Sequence, residues 1–124
     1  MAQVIGLGVF IKAKKPKALA KWYREVLGMN MDANWFGTAI PPQLAPKKTI
    51  QVFSLFKSNS DYMKPSKREF MLNFCVDDMD SMLARCAEHD VKPIWRNDED
   101  PSGRFAHILD PEGTKIELWE PASV

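Results

Sequence analysis

The sequence has almost no net charge, and it contains only two cysteines and two histidines. Its 17 basic side chains are balanced by 16 acidic ones. A surface without excess positive charge has no long-range attraction for polyanions, so we expect neither nucleic acid nor an anionic membrane as a partner. Cys75 and Cys86 form no CxxC pair, and we interpret both as reduced, buried thiols. The alternative is that Cys75 is a nucleophile, although neither histidine stands in a recognisable relation to it.

Long apolar runs are also missing. No stretch approaches the roughly 20 apolar residues that a membrane-spanning helix requires. Residues 1–12 lack the basic start, apolar middle and cleavage site of a secretory signal, so we expect a soluble, cytoplasmic protein. At 124 residues, with 45% hydrophobic and 27% charged side chains, the chain has the size and composition of about one globular domain.

The first half contains one clear helix between segments typical of strands. Pro16 suits the first turn of a helix, and apolar residues then recur at three- and four-residue spacing as far as Gly28, a natural helix stop. Alternating apolar residues precede this helix and return after a proline-rich loop. The predicted elements are a strand at 4–12, a helix at 16–27, a weak strand at 29–36 and a strong strand at 49–56.

The second half repeats this order after a polar connector at 57–68. Its predicted elements are a strand at 69–76, a helix at 78–89 and strands at 91–96, 104–109 and 114–120. The segment Ile50-Gln51-Val52-Phe53 also overlays Ile116-Glu117-Leu118-Trp119, which indicates an internal repeat. We therefore predict an α+β fold in which two βαβββ repeats, about 1–57 and 69–121, form an open cup-shaped mixed sheet with helices outside. Both units belong to one domain, 1–124.

Three motifs resemble those of a known superfamily. Trp22-Tyr23-Arg24-Glu25-Val26-Leu27-Gly28 is similar to its "FYxxVLG" helix, and Val76-Asp77-Asp78-Met79-Asp80 to the corner of its second half. Asp110-Pro111-Glu112-Gly113-Thr114-Lys115-Ile116-Glu117-Leu118 looks like its closing "DPDGxxIEL" hairpin. The chain thus resembles the vicinal oxygen chelate superfamily, which includes glyoxalases, bleomycin-resistance proteins and extradiol dioxygenases. The resemblance implies a substrate inside the cup and a homodimer, with the cup closed within one chain or shared between two.

The resemblance also implies four positions for metal ligands, which fall on Gly8, Gln51, Met71 and Glu117. Glycine offers no side-chain donor, and a thioether is a poor ligand for the divalent metals of the superfamily. The remaining carboxylate and amide are fewer than the three protein ligands of a typical catalytic zinc site. We therefore expect no metal cofactor, and a divalent metal is the alternative.

His107 is the one residue that could supply a missing nitrogen ligand. If Asp110 to Gly113 is a simple four-residue turn, His107 pairs with Ile116 and faces the helices. A bulge in the hairpin would turn His107 toward the cavity instead.

The same alternation predicts which side chains line the cup. The set is mostly apolar and aromatic with a few polar groups, as in many small-molecule sites, although these side chains could also fill the cup themselves. Glu117 is the candidate catalytic residue, because a carboxylate at an apolar cavity needs a partner such as Lys12 or Arg104, or a functional role. The predicted ligand-binding residues are Phe10, Gln51, Phe53, Met71, Asn73, Cys75 and Trp119.

Three functions are compatible with these features. The first is a small-molecule-binding protein of the glyoxalase and bleomycin-resistance type, without the metal site of the superfamily. The alternative is a metal-dependent lyase, isomerase or dioxygenase, similar to lactoylglutathione lyase, that uses Glu117 and His107. The third is a dimeric scaffold with a collapsed cup. The sequence leaves open whether any reaction is catalysed.

Overall fold

The protein has two helices and a four-stranded sheet. The structure, a computed structural model, describes residues 2–41, 43 and 49–122. This combination confirms the predicted α+β class. The elements in chain order are α1 (Pro16–Leu27), β1 (Leu72–Cys75), α2 (Met79–Glu88), β2 (Trp95–Asp100), β3 (Gly103–Leu109) and β4 (Lys115–Pro121).

Helix α1 begins and ends where the sequence predicts. Pro16 occupies its first turn, where a missing backbone N–H costs nothing. Gly28 ends the helix in the left-handed conformation, with φ of 71°, and its N–H donates to the carbonyl of Arg24. Glycine adopts this conformation without steric cost, which explains the sharp stop.

The strands lie in the order β1-β4-β3-β2, with β1 parallel to β4 and the other pairs antiparallel. One face of the sheet packs against both helices and forms the core with them. We call the opposite face the inner face. The core side chains from the sheet are Leu72, Ala106, Ile108, Ile116 and Leu118, and the helices add Tyr23, Val26, Leu27, Met79, Leu83 and Cys86.

The hairpin between β3 and β4 contains the bulge that was the alternative to a simple turn. The N–H of Gly113 donates to the carbonyl of Asp110 at 3.0 Å, and the N–H of Asp110 donates to the carbonyl of Thr114 at 2.9 Å. Gly113 has φ of 84°, as expected for the left-handed residue of a three-residue hairpin loop. This loop shifts the register, so His107 pairs with Glu117 rather than with Ile116.

The first half differs from the prediction. Within the part of the chain that the structure describes, residues 4–12, 29–36 and 50–56 belong to no strand. The N–H of Leu7 donates to the side chain of Gln51 at 2.9 Å rather than to a neighbouring strand. A strand requires a ladder of partner groups, and all four strands of the sheet among the described residues come from the second half. We call 4–11 and 50–56 the N-terminal segments.

None of the described helices has both the length and the apolar character that a membrane crossing requires.

Candidate functional site

A cluster of four polar side chains lies on the inner face around Glu117. Asn73, opposite Glu117 on the neighbouring strand, donates from Nδ2 to Oε1 at 2.8 Å. His107 Nε2 lies 2.7 Å from Oε2, and the hydroxyl of Tyr62 donates to the same oxygen. Glu117 therefore bonds to these three side chains, whereas Arg104, one of the basic partners considered from the sequence, pairs with Asp80 and Asp98. We call Tyr62, Asn73, His107 and Glu117 the Glu117 cluster.

The cluster holds Glu117 as a carboxylate, although its side chain is only 12% exposed. Burial opposes ionisation, but the hydrogen bonds from His107, Tyr62 and Asn73 outweigh it and place the pKa of Glu117 below its ordinary value. Burial and the hydrogen bond to Glu117 raise the pKa of Tyr62, which therefore stays a neutral donor. The result is a stabilised anion on an otherwise apolar surface.

Two aromatic rings contact the imidazole of His107. Trp95 lies beside His107 with 4.5 Å between ring centroids, and Tyr62 meets the same imidazole edge-on at 5.3 Å. Further along the inner face, Phe105 and Trp119 stack with centroids 5.7 Å apart. These contacts restrict the His107 ring to one orientation, which is a requirement for a defined polar site.

Lys115 fixes the connector to the sheet. Its Nζ donates to the carbonyl oxygens of Tyr62 and Lys64, the latter at 2.8 Å, and lies 5.3 Å from the centroid of the Tyr62 ring. Burial lowers the pKa of Lys115, while the negative charge of Glu117 opposes this change. The ammonium group therefore positions Tyr62 over the inner face.

A cavity of about 1930 Å³ separates the N-terminal segments from β1 and Glu117. Trp119 lies outside this lining, stacked on Phe105, and its Nε1 donates to the carbonyl of Ser102 at 2.9 Å. Cys86 is buried in the core as expected, whereas Cys75 on β1 is only half-buried. The predicted site residues in the cavity lining are Phe10, Gln51, Phe53, Met71, Asn73, Cys75 and Glu117.

Sequence reasoning missed three members of this site. Tyr62 belongs to the polar connector, and its only sequence signal is that it is the one aromatic residue there. Lys115 and Trp95 lie at strand ends, where alternation gives little indication of direction. Each of the three depends on tertiary contacts that no local pattern encodes.

The residues at the metal positions of the superfamily do not fit a metal centre. Gly8 faces open space and has no donor, and the Oε1 atom of Gln51 accepts from the N–H of Leu7. Met71 offers a thioether, and both oxygens of Glu117 already accept hydrogen bonds. Across residues 2–41, 43 and 49–122, no group of three or more His, Cys, Asp and Glu side chains could hold an ion.

A smaller cavity of about 410 Å³ lies on the outer surface between α1 and Glu112. Its lining includes Trp22 and two lysines, and it contains no member of the Glu117 cluster. Its charged groups are Lys15, Lys21, Glu25 and Glu112, which are separate from the Glu117 cluster on the inner face.

Comparisons with known proteins agree with this architecture. A family model described as a glyoxalase-like domain matches residues 8–119. The crystal structure of TnmS3, an antibiotic-binding protein from Streptomyces sp. CB03234, superposes with a TM-score of 0.52 at 25% identity, covering 89% of this chain and 88% of TnmS3. No curated protein sequence matches the chain significantly. The family match spans most of the chain, and the chain therefore belongs to the glyoxalase-like domain family.

Proposed function

We propose that the protein binds a small, partly apolar molecule in the cavity beside the Glu117 cluster, without the metal of the superfamily. The observation that carries the proposal is the large cavity with mostly apolar walls that reaches the Glu117 carboxylate, whose side chain is 12% exposed and is hydrogen-bonded to Tyr62, Asn73 and His107. Apolar walls supply affinity, and a few convergent polar groups supply orientation. The match to an antibiotic-binding protein supports the same class of function.

The cavity argues against the scaffold interpretation. A collapsed cup would bring the aromatic side chains into contact with the inner face, whereas here a space of about 1930 Å³ remains. Pockets for drug-sized ligands have volumes of roughly 300–1,000 Å³, so this space is large enough for one. Phe10 and Phe53 line it and stay exposed, as binding surfaces do.

A thermal-shift screen of metabolites and antibiotics tests the proposal. We expect some compounds to raise the melting temperature of the wild type, since a ligand that binds only the folded state stabilises it. Glu117→Ala should weaken this effect, whereas Glu25→Ala, on the exposed face of α1, should leave it unchanged. Native mass spectrometry provides the second readout, because stoichiometric metal that is lost in Glu117→Ala would contradict a metal-free site.

We further propose that two copies of the chain pair through the N-terminal segments. Ile5 is 95% exposed, Phe10 is fully exposed and Leu55 is 85% exposed. Apolar segments without strand partners associate readily with another chain. We propose that a second copy of the chain covers these segments. In the described chain the strands of the second half pair with one another and the first half forms no strand, and symmetric pairing of two copies is the usual way to complete such a surface.

Light scattering coupled to size-exclusion chromatography tests this pairing. We expect twice the chain mass of 14.1 kDa for the wild type, and the monomer mass for the double variant Ile5→Lys, Leu55→Lys. Ile94→Lys, a matched change at a half-exposed isoleucine before β2, should stay dimeric. A monomeric wild type would contradict the proposal.

One observation favours a second candidate function, a lyase or isomerase that transfers a proton. His107 Nε2 lies 2.7 Å from Glu117, and such a pair can take a proton from a substrate and return it. Turnover of a hemithioacetal panel that disappears in both His107→Ala and Glu117→Gln would establish catalysis. Binding without turnover in the same panel would support the binding protein.

A further inference from the structure

Tyr62 contacts Glu117 and His107 in the way that a bound phenol would. Its hydroxyl donates to Oε2 of Glu117 and lies 3.3 Å from His107 Nε2. Its ring packs against Phe56, with 5.2 Å between centroids, and faces Lys115 Nζ at 5.3 Å. The site therefore recognises both parts of a phenol, the hydroxyl and the electron-rich ring.

Tyr62 differs from the other members of the cluster in how it is attached. Asn73, His107 and Glu117 lie on paired strands, where the ladder fixes their positions. Tyr62 lies in the connector, which belongs to no strand and is held by single turns such as Ser60 N–H to Lys57 and by the two hydrogen bonds from Lys115 Nζ. Segments held by few backbone hydrogen bonds open at lower free energy than strands.

Tyr62 and Glu117 both line the cavity. Tyr62 is 39% exposed and the side chain of Glu117 is 12% exposed, so Tyr62 is the more accessible of the two. If the ring moves away, Oε2 of Glu117 loses one donor, and Asn73 cannot replace it because Asn73 bonds to Oε1. His107 stays at Oε2, but the carboxylate has one donor fewer, which favours a ligand with a hydroxyl at that point.

We propose that the ligand of this protein is a hydroxylated aromatic compound whose hydroxyl displaces that of Tyr62 from Glu117. The inference rests on the proposed binding function and names its ligand class. The contacts of Tyr62 select this class, because Oε2 of Glu117 accepts its hydroxyl while Phe56 and Lys115 contact its ring. An aryl ether has the ring but no proton to donate, so it cannot replace Tyr62 on the carboxylate.

Titration of two matched probes, 2-naphthol and 2-methoxynaphthalene, tests the displacement. Calorimetry on the wild type, Tyr62→Phe and Tyr62→Ala measures each affinity. Removal of the internal competitor should tighten 2-naphthol binding about tenfold in both variants, since hydrogen bonds to charged groups have about this strength. Binding of 2-methoxynaphthalene should change by less than about twofold in Tyr62→Phe, which keeps the ring.

Each other outcome overturns the displacement. Weaker 2-naphthol binding in Tyr62→Phe would make the Tyr62 hydroxyl part of the binding wall rather than a competitor. Parallel changes for both probes would show that the hydroxyl is not recognised. If neither probe binds while other compounds raise the melting temperature, the ligand class is wrong and the binding function stands. If no compound of any class binds, both proposals fail.

Discussion

Replacing Asn73 by aspartate should place two carboxylates against each other in the Glu117 cluster. The amide of Asn73 donates to Oε1 of Glu117 at 2.8 Å, so Asn73→Asp removes a donor and adds a charge of the same sign. Two charges about 4 Å apart repel by about 4 kcal/mol at an effective dielectric constant of 20. This repulsion is limited, because one of the two carboxyls can bind a proton instead. Raising the pKa of that carboxyl costs about 1.4 kcal/mol for each unit. We expect a loss of about 3–5 kcal/mol in the free energy of unfolding at pH 7.5.

Urea denaturation at pH 7.5 and pH 5.0 measures the loss in the free energy of unfolding and the direction in which it changes with pH. The folded variant binds a proton between the two carboxyls that the unfolded chain releases, so its stability should recover by about 2 kcal/mol as the pH falls. Asn73→Leu is the matched control, with a loss of about 1.5 kcal/mol for the missing hydrogen bond and little pH dependence. Equal losses for both variants at both pH values would refute the contact between Asn73 and Glu117.

Three further predictions concern single side chains. Tyr23→Phe should lower the free energy of unfolding by about 1–2 kcal/mol in chemical denaturation, because it removes a buried hydrogen bond of 2.7 Å to Asp110, and an unchanged midpoint would count against that bond. Gly113→Ala should lower the free energy of unfolding by about 1 kcal/mol because of the positive φ alone, since the added methyl group meets open space. Gly113→Asn should lower it by less, because asparagine adopts the left-handed conformation more readily than alanine. The folded pKa of Glu117 is lowered, so its contribution to stability is complete above the unfolded value of about 4.3 and is lost as the pH falls through the folded value. Acid titration of the wild type against Glu117→Gln should therefore show the difference in stability shrinking only below pH about 4, and a difference that already shrinks near pH 6 would contradict the lowered pKa.

Local signals predicted the helices and most of the four-stranded sheet of the second half, because each depends on residues close in sequence. Pro16 and Gly28 set the ends of α1, and the apolar alternation of β3 and β4 identified two paired strands. Strand β2 begins later than predicted, since its sequence Trp-Arg-Asn-Asp-Glu-Asp has no apolar alternation and pairs through its backbone with β3.

The candidate site was harder to predict, because its geometry depends on single-residue shifts and distant contacts. One left-handed residue, Gly113, decides whether His107 faces the core or Glu117. Tyr62 reaches the carboxylate from a connector without periodicity, held by Lys115 from another part of the chain. The N-terminal segments have the sequence of strands but pair with no strand in the described chain, and local alternation does not encode which strand would pair with them.

A crystal structure of the protein with the compound that raises its melting temperature most would test the binding site directly. We expect the compound on the inner face, within hydrogen-bonding distance of Glu117 and between the N-terminal segments and β1. A compound bound instead in the outer cavity between α1 and Glu112, with the inner face unchanged, would contradict it.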